Sequence, residues 1–461
     1  MRIEFFGATQ EVTGACFLLH VGQQRVLIDC GLIQGGYADE QRNHAPFPFD
    51  ARQLDAVILS HAHLDHSGRL PLLLKNGFRG PIYTQTATRD LTRIMLRDAA
   101  FLNQKETEWT NKKRLRKGLA PQTPLYTAAE ANAAVRRMQP LPFHKATALP
   151  PGITLTLHDA GHILGSSIVE LNCTHANTRR TVIYSGDLGH RGAPVMRDPE
   201  RIKHADLLLL ETTYGNRLHR AWDATWQELG NILLQARADG GNILIPAFAI
   251  GRTQELLYIF KRQFAAWGLD QWAIFLDSPL AIEATTIYAQ HASLYDAETH
   301  RLSKNGDVFA PPNLHYSKTA AQSMAINRIK SGAIIIAGSG MCDGGRIKHH
   351  LKHHLWRSNC HVIFSGFQAQ GTLGRRIVDG AGFVRLWGET IKVAAQIHTI
   401  GGLSAHADQA GLLDWLSGYA SPPAIALVHG EATAMQEFYA KLRLSVATNI
   451  SMPKYGESIV L

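Results

Sequence analysis

Ser60-His61-Ala62-His63-Leu64-Asp65-His66-Ser67-Gly68 carries three imidazoles and a carboxylate within six residues, directly after the apolar run Leu54–Leu59. Four such groups at this spacing cannot all face one ion. A turn leaving a buried strand instead directs His61 and His63 to one metal and Asp65 and His66 to a neighbouring one. Imidazole with carboxylate suits zinc, with manganese or iron as the lesser options. A merely solvated histidine loop does not explain four ligand groups at the end of an apolar strand.

Two ions need more ligands than one turn supplies, and other turns supply them. His162 sits on the glycine-flanked stretch Asp159-Ala160-Gly161-His162-Ile163-Leu164-Gly165-Ser166. Asp187 follows the apolar run TVIYS in Ser185-Gly186-Asp187-Leu188-Gly189. A carboxylate there can bridge two cations about 3.5–4 Å apart. Either residue alone reads as an ordinary turn residue; the upstream histidine motif reverses that reading.

The bulk composition sets the frame. At 461 residues, 45% apolar and 18% charged, the chain is long enough for two domains and has the balance of a globular protein. No apolar run approaches a membrane span, and the N-terminus lacks a secretory pattern, so no membrane partner is expected. Five scattered cysteines without a C-x-x-C pair suggest neither a disulfide framework nor a cysteine zinc site, which points to a cytoplasmic protein. The net charge of +9 favours a polyanionic partner only weakly.

The first 60 residues read as short strands at 2–6, 16–21, 25–29 and 54–59, and 86–105 has helical spacing before the basic stretch at 103–118. Further strands are expected at 153–158, 167–171, 181–185 and 206–210. From about Tyr214 helices at 221–238, 252–265 and 318–330 alternate with the apolar strands Ile243–Ile245, Ala273–Leu276, Ile334–Ala337 and Val362–Phe364. That alternation indicates a parallel α/β sheet. Past about 395 the texture returns to β with the histidine loops SAHAD and LVHGE. The expected organisation is one domain, 1–214 with 396–461, interrupted by an α/β insert at 215–395.

The ordered set His61, His63, Asp65, His66, His162 and Asp187 resembles the metal motifs of the metallo-β-lactamase superfamily, and Asp29 in LIDCG matches its first acidic position. The long gap from Asp187 to His429, in Leu427-Val428-His429-Gly430-Glu431, resembles the β-CASP nucleases. Glu211 in LLLLETTYGNR, His406 in SAHAD, and the insert segments PAFAIGRTQELL, GSGMCDGGRIKHHL and FSGFQAQGTLGRR match as well. The resemblance covers essentially the whole chain. It implies an αββα sandwich carrying the inserted parallel-sheet β-CASP domain. It also implies two zinc ions: one on His61, His63 and His162, the other on Asp65, His66 and His429, with Asp187 bridging and catalytic and Asp29 supporting a ligand from behind.

The implied activity is hydrolysis of single-stranded RNA in RNA processing or decay, endonucleolytic, leaving 5′-phosphate and 3′-hydroxyl ends. The ions would activate a water for in-line attack on phosphorus. His406, oriented by Glu211, would act as general acid. The chain resembles the short two-domain form, without the archaeal N-terminal extension or the C-terminal domain of RNase J. A histidine at 429 favours RNA over the DNA-directed members, which commonly lack it. A DNA nuclease of the group and a small-molecule hydrolase are the alternatives; an inactive RNA-binding subunit conflicts with the intact ligand set. A homo-oligomer is compatible with the sequence.

Several features weigh less. Ser404, Arg252 and Arg346 are candidate RNA or phosphate contacts, as are the glycine-rich turns Gly338–Gly345 and Gly366–Gly371. Lys112–Lys117 reads as a solvated loop or an RNA backbone contact. His349, His350, His353 and His354 in HHLKHHL have no carboxylate or cysteine to complete a site, and read as a polar helix face. His398 reads as structural.

Overall fold

The computed structural model describes every residue of the chain except Phe367, and of Tyr37 the backbone only. Phe367 falls inside the Gly366–Gly371 turn named above and lies outside the described residues. Met1–Arg191, Asp198–Leu218 and His406–Leu461 form one compact unit; Gly192–Arg197 and His219–Ala405 form a second.

In the first unit, two seven-stranded sheets build the core. One sheet runs Ser458–Val460, Arg2–Phe5, Phe17–Val21, Gln24–Ile28, Ala56–Ile58, Ile82–Gln85, Met138–Leu141. The other runs Ile450–Ser451, Ala424–Val428, Leu207–Glu211, Thr178–Tyr184, Ser167–His175, Ile153–Asp159, Thr147–Ala148.

Side chains alternate between two apolar environments. Phe17, Leu19, Val26, Ile28 and Ile58 share the inter-sheet core with Leu155, Leu157, Val169, Leu171, Val182, Tyr184, Leu207 and Leu209. The residues between them point outward: Leu18, Leu27 and Val57 meet Leu70, Leu73, Leu96 and Ala134. Leu208, Leu210 and Leu427 meet Leu412, Trp415, Met435 and Phe438. Helices Leu70–Lys75, Thr86–Leu115 and Ala128–Arg136 therefore cover one sheet, and Gln409–Leu416 and Ala432–Ser445 cover the other. This is the αββα sandwich. Burial on both faces explains why LLLLE has no polar alternation; each buried leucine there contributes about 1.5–3 kcal/mol.

The second unit has a six-stranded sheet in which every pairing is parallel, ordered Leu314–Tyr316, Ala273–Leu276, Ala333–Ala337, Ile243–Pro246, His361–Phe364, Gln396–Thr399. Strand Gln396–Thr399 pairs with His361–Phe364. Residues 396–405 thus belong to this unit's sheet and its exit, beyond the boundary at 395 read from the sequence.

Two other expectations change. Lys112–Leu115 is not a loop but the last turn of the 30-residue helix Thr86–Leu115, whose burial ends near Ala100. The β texture expected past 395 contains two helices. Asp408 caps the first by accepting from the Gly411 N–H, and Leu412, Trp415 and Leu416 set its buried stripe. Among the described residues no helix is long and apolar enough to cross a membrane.

Candidate metal centre

The HxHxDH turn is held from behind by the loop that follows strand Gln24–Ile28. The Cys30 N–H donates to the His66 carbonyl, Leu32 N–H to Leu64, and Ala15 N–H to Asp65, at 2.7–2.8 Å. The chains approach so closely that a Cβ on Gly31 would stand 1.5 Å from the Asp65 carbonyl oxygen, so position 31 must be glycine. Asp29 has a left-handed backbone (φ 57°) that turns its carboxylate into the same loop. Its Oδ1 accepts from the Ser60 N–H at 2.8 Å, and its Oδ2 accepts from Ser60 Oγ and His66 Nδ1 at 2.7 Å each.

Those bonds set ring orientation. With Nδ1 of His66 bonded to Asp29, its Nε2 faces His429 Nε2 at 3.2 Å. His429 Nε2 lies 3.5 Å from Asp65 Oδ2, and His429 Nδ1 lies 3.1 Å from Thr213 Oγ1. On the other side, His63 Nδ1 is 3.2 Å from both His61 Nε2 and His162 Nε2. Ser60 Oγ receives Nδ1 of His61 at 3.1 Å, which leaves that ring's Nε2 facing inward.

Asp187 stands between the two sets. Its Oδ2 is 3.4 Å from His61 Nε2, 3.6 Å from His162 Nε2 and 3.5 Å from His66 Nε2, and its Oδ1 is 3.6 Å from His429 Nδ1. The ligand atoms of His61, His63, His162 and Asp187 all lie within 4.8 Å of one another, and so do those of Asp65, His66 and His429.

Two observations test whether this donor set fits metal. Asp187 Oδ1 is fully buried with no hydrogen-bond partner, a state that is costly unless a cation receives it. Imidazole nitrogens also converge in pairs at 3.2 Å, close to the ~3.3 Å of tetrahedral ligands at ~2.0–2.1 Å from zinc. The residues fit a metal ion.

Burial lowers the proton affinity of His66, but the neighbouring carboxylates, Asp187 first, outweigh it and hold the ring towards its protonated form in the absence of a cation; Asp187 and His61 shift the other way. Burial pushes the Asp187 carboxyl up, but His429, His66 and His61 outweigh it and hold it well below the usual carboxylate range. Burial, then the neighbouring His66, pushes His61 well down, keeping its ring neutral for ligation.

Beside this cluster lies a different pair. Glu211 is fully buried at the end of strand Leu207–Glu211; Oε1 accepts from the Leu188 N–H at 2.9 Å and Oε2 from the Thr213 N–H at 3.1 Å. His406 Nδ1 is 3.2 Å from Glu211 Oε1, and its ring lies 4.4 Å from that of His162. Burial lowers the affinity of His406 for a proton, but Glu211 outweighs it and raises the pKa to about 9. The His406 side chain is partly exposed.

The three expected RNA contacts lie in the second unit. Arg252 is buried and paired with Glu255 within its own helix. Arg346 Nη1 donates to Asp277 Oδ1 at 2.6 Å and to the Ser317 carbonyl at 2.7 Å, and its Nη2 donates to the Lys318 carbonyl at 3.0 Å. Ser404 is buried. The helix of HHLKHHL turns His350 onto Asp277 and Asn327, at 2.6 and 2.8 Å, and does not gather its histidines into a ligand set. His398 pairs with His361 at 2.9 Å. Ser60 and Thr213 escaped the sequence reading. Only their adjacency to His61 and Glu211 hinted at them, since a hydroxyl that orients a ligand has no spacing rule of its own.

Comparison with known proteins identifies the family. Residues 18–201 match the metallo-beta-lactamase superfamily domain, 253–377 the Beta-Casp domain, and 390–453 the Zn-dependent metallo-hydrolase RNA specificity domain. The chain is 39% identical to a ribonuclease of Thermus thermophilus, over 100% of both chains. It is 30% identical to the transcription termination factor FttA of Lokiarchaeum sp., over 100% of this chain and 71% of that one. It is 32% identical to FttA of Pyrococcus abyssi, over 94% and 67%. A protein of unknown function from Enterococcus faecalis V583 shares the fold at a TM-score of 0.53 and 14% identity, covering 100% of this chain and 99% of that one. With a ribonuclease relative matched over its full length and ordered domain matches, this chain belongs to the β-CASP group of the metallo-β-lactamase superfamily and is a metal-dependent hydrolase.

Proposed function

We propose that the protein is a ribonuclease that cleaves single-stranded RNA endonucleolytically, using two zinc ions and leaving 5′-phosphate and 3′-hydroxyl ends. The observation that carries this reading is the placement of a buried, doubly anchored Glu211 behind His406, next to seven converging ligand groups. The relative named as a ribonuclease at 39% identity supports RNA as the substrate.

His61, His63 and His162 would hold one ion, Asp65, His66 and His429 the other, and Asp187 both. When bound, the pair supplies Lewis-acid activation of water and charge neutralisation at the phosphoryl oxygens. The chain's own residues do the rest. Asp29 fixes the His66 ring, and Ser60 fixes His61. His406 delivers a proton to the departing 3′ oxygen, and Glu211 keeps the imidazole protonated and aimed. Five free, buried cysteines are consistent with work in the cytoplasm.

The test is incubation of purified protein with RNA and DNA oligonucleotides of one sequence, labelled at either end, with and without chelator. RNA cut internally and faster than DNA, with 5′-phosphate products and chelator sensitivity, is expected. Preferential DNA cleavage would move the protein to the DNA-directed members of the group, and turnover in excess chelator would remove metal from the chemistry.

A further inference from the structure

Outside the catalytic cluster, the first unit gathers a second set of metal-ligating side chains from three separate segments. His144 lies in the turn after strand Met138–Leu141, His158 on strand Ile153–Asp159, and Glu200 in the segment before Leu207–Glu211. Their ligand atoms lie within 4.8 Å of one another. We propose that His144, His158 and Glu200 form a third divalent-metal site, structural in role and suited to zinc.

The geometry carries this in three steps. His158 Nε2 is bonded to Glu170 Oε2 at 2.8 Å, and Glu170 Oε1 is itself fixed by Asn172 Nδ2 at 2.7 Å. A histidine tied through one nitrogen to an anchored carboxylate presents the other as a ligand, the usual second layer of a zinc site. Its other nitrogen, Nδ1, faces Glu200 Oε2 at 3.5 Å, a ligand-to-ligand spacing around one ion.

Glu200 is also held in place. Its N–H donates to the Asp159 carbonyl at 2.9 Å, its Oε1 accepts from the Asp159 N–H at 3.3 Å, and its carbonyl accepts from Trp415 Nε1 at 2.7 Å. His144 completes the set. Its N–H donates to the Leu157 carbonyl at 2.9 Å, and a left-handed backbone (φ 63°) turns its ring so that Nε2 lies 2.8 and 2.9 Å from the two Glu200 oxygens. The His144 side chain is 58% exposed, so it can open that spacing around an ion and leave a position for water.

Two imidazoles and a carboxylate on a partly open site match zinc chemistry. An ion there would tie three segments together at the foot of the Asp159–Gly165 loop, which carries His162. The inference is independent of the RNA reading, because its measurement is metal content and not activity.

The experiment equilibrates the metal-loaded protein with excess zinc, removes free ion by gel filtration and counts zinc per chain. Wild type is expected to hold one ion more than His144→Gly or Glu200→Gln. Glycine suits the positive φ at 144, so that variant keeps its fold. Glu170→Gln leaves all three ligands in place and is expected to weaken the last ion by about 10–100-fold in chelator competition. Equal zinc content in wild type and both ligand variants, or an unchanged affinity in Glu170→Gln, would overturn the proposal.

Discussion

Asp29 and His66 meet at 2.7 Å between Oδ2 and Nδ1, with both side chains fully buried. Through Oδ2, Asp29 orients the His66 ring and, through Ser60, that of His61. Asp29→Asn replaces one acceptor oxygen with an NH2 group that cannot receive the His66 or Ser60 proton. Metal affinity should fall by about 10–100-fold, measured by chelator competition, with the fold intact by circular dichroism. Unchanged affinity would mean that His66 is oriented by something other than Asp29.

Among the described residues Asp187 is the carboxylate that faces both groups, and its buried Oδ1 has no partner. Asp187→Asn removes the charge that would hold two cations side by side in the proposed site. Cleavage should be abolished and metal content should drop below that of wild type in elemental analysis. A variant with full metal content and near wild-type turnover would show that the bridge lies elsewhere.

How much of this was legible in the sequence depends on how local each signal is. Ligands on strand ends announce themselves: His61 follows Ala56–Ile58, Asp187 follows Thr178–Tyr184, and the structure brings both together with His162 and His429. Alternation between two buried faces is harder to read, because Leu207–Leu210 look the same whichever way they point. The helices at Gln409–Leu416 and Ala432–Ser445 were hidden beneath the histidine motifs that drew attention to their flanks. Arg252 and Arg346 read as candidate RNA contacts because nothing in a linear sequence shows Glu255 one helical turn away as a buried partner, or Asp277 at the end of strand Ala273–Leu276. The cluster of His144, His158 and Glu200 has no motif spacing at all, since tertiary folding alone brings it together.

His354, in HHLKHHL, sets a pH limit. It is fully buried, its Nε2 has no partner and its Nδ1 lies 3.2 Å from Arg357 Nη1. Burial, then His350, Arg357 and His353, lowers its pKa from 6.5 to about 3. The folded protein therefore refuses a proton that the unfolded chain accepts below about pH 6.5. This contribution to stability is complete above 6.5 and is lost as pH falls towards 3, at up to about 1.4 kcal/mol per pH unit for one proton. His354→Gln keeps an acceptor for Arg357 and cannot titrate. Its stability, measured by denaturant unfolding between pH 7 and pH 5, should fall less steeply than that of wild type. Parallel slopes would show that His354 titrates normally in the fold.

The final prediction separates proton transfer from metal binding at His406. The imidazole faces Glu211 through Nδ1, and Glu211 is fixed by two backbone N–H groups, so the pair is built to hold and aim a proton. If His406 is the general acid, His406→Ala should retain both catalytic metals and bind RNA, while cleavage slows by about 10²–10⁴. Glu211→Gln should give a smaller defect, because the ring and its proton remain while the carboxylate that aims them is neutralised. An RNA whose scissile 3′ oxygen is replaced by sulfur has a leaving group that departs without protonation. It should restore His406→Ala proportionally more than wild type when both are assayed with a metal that accepts sulfur. Metal loss from His406→Ala would instead make the residue a ligand. Full metal content without selective rescue by the sulfur substrate would leave it a substrate contact, and the acid would have to be sought in another group beside Asp187.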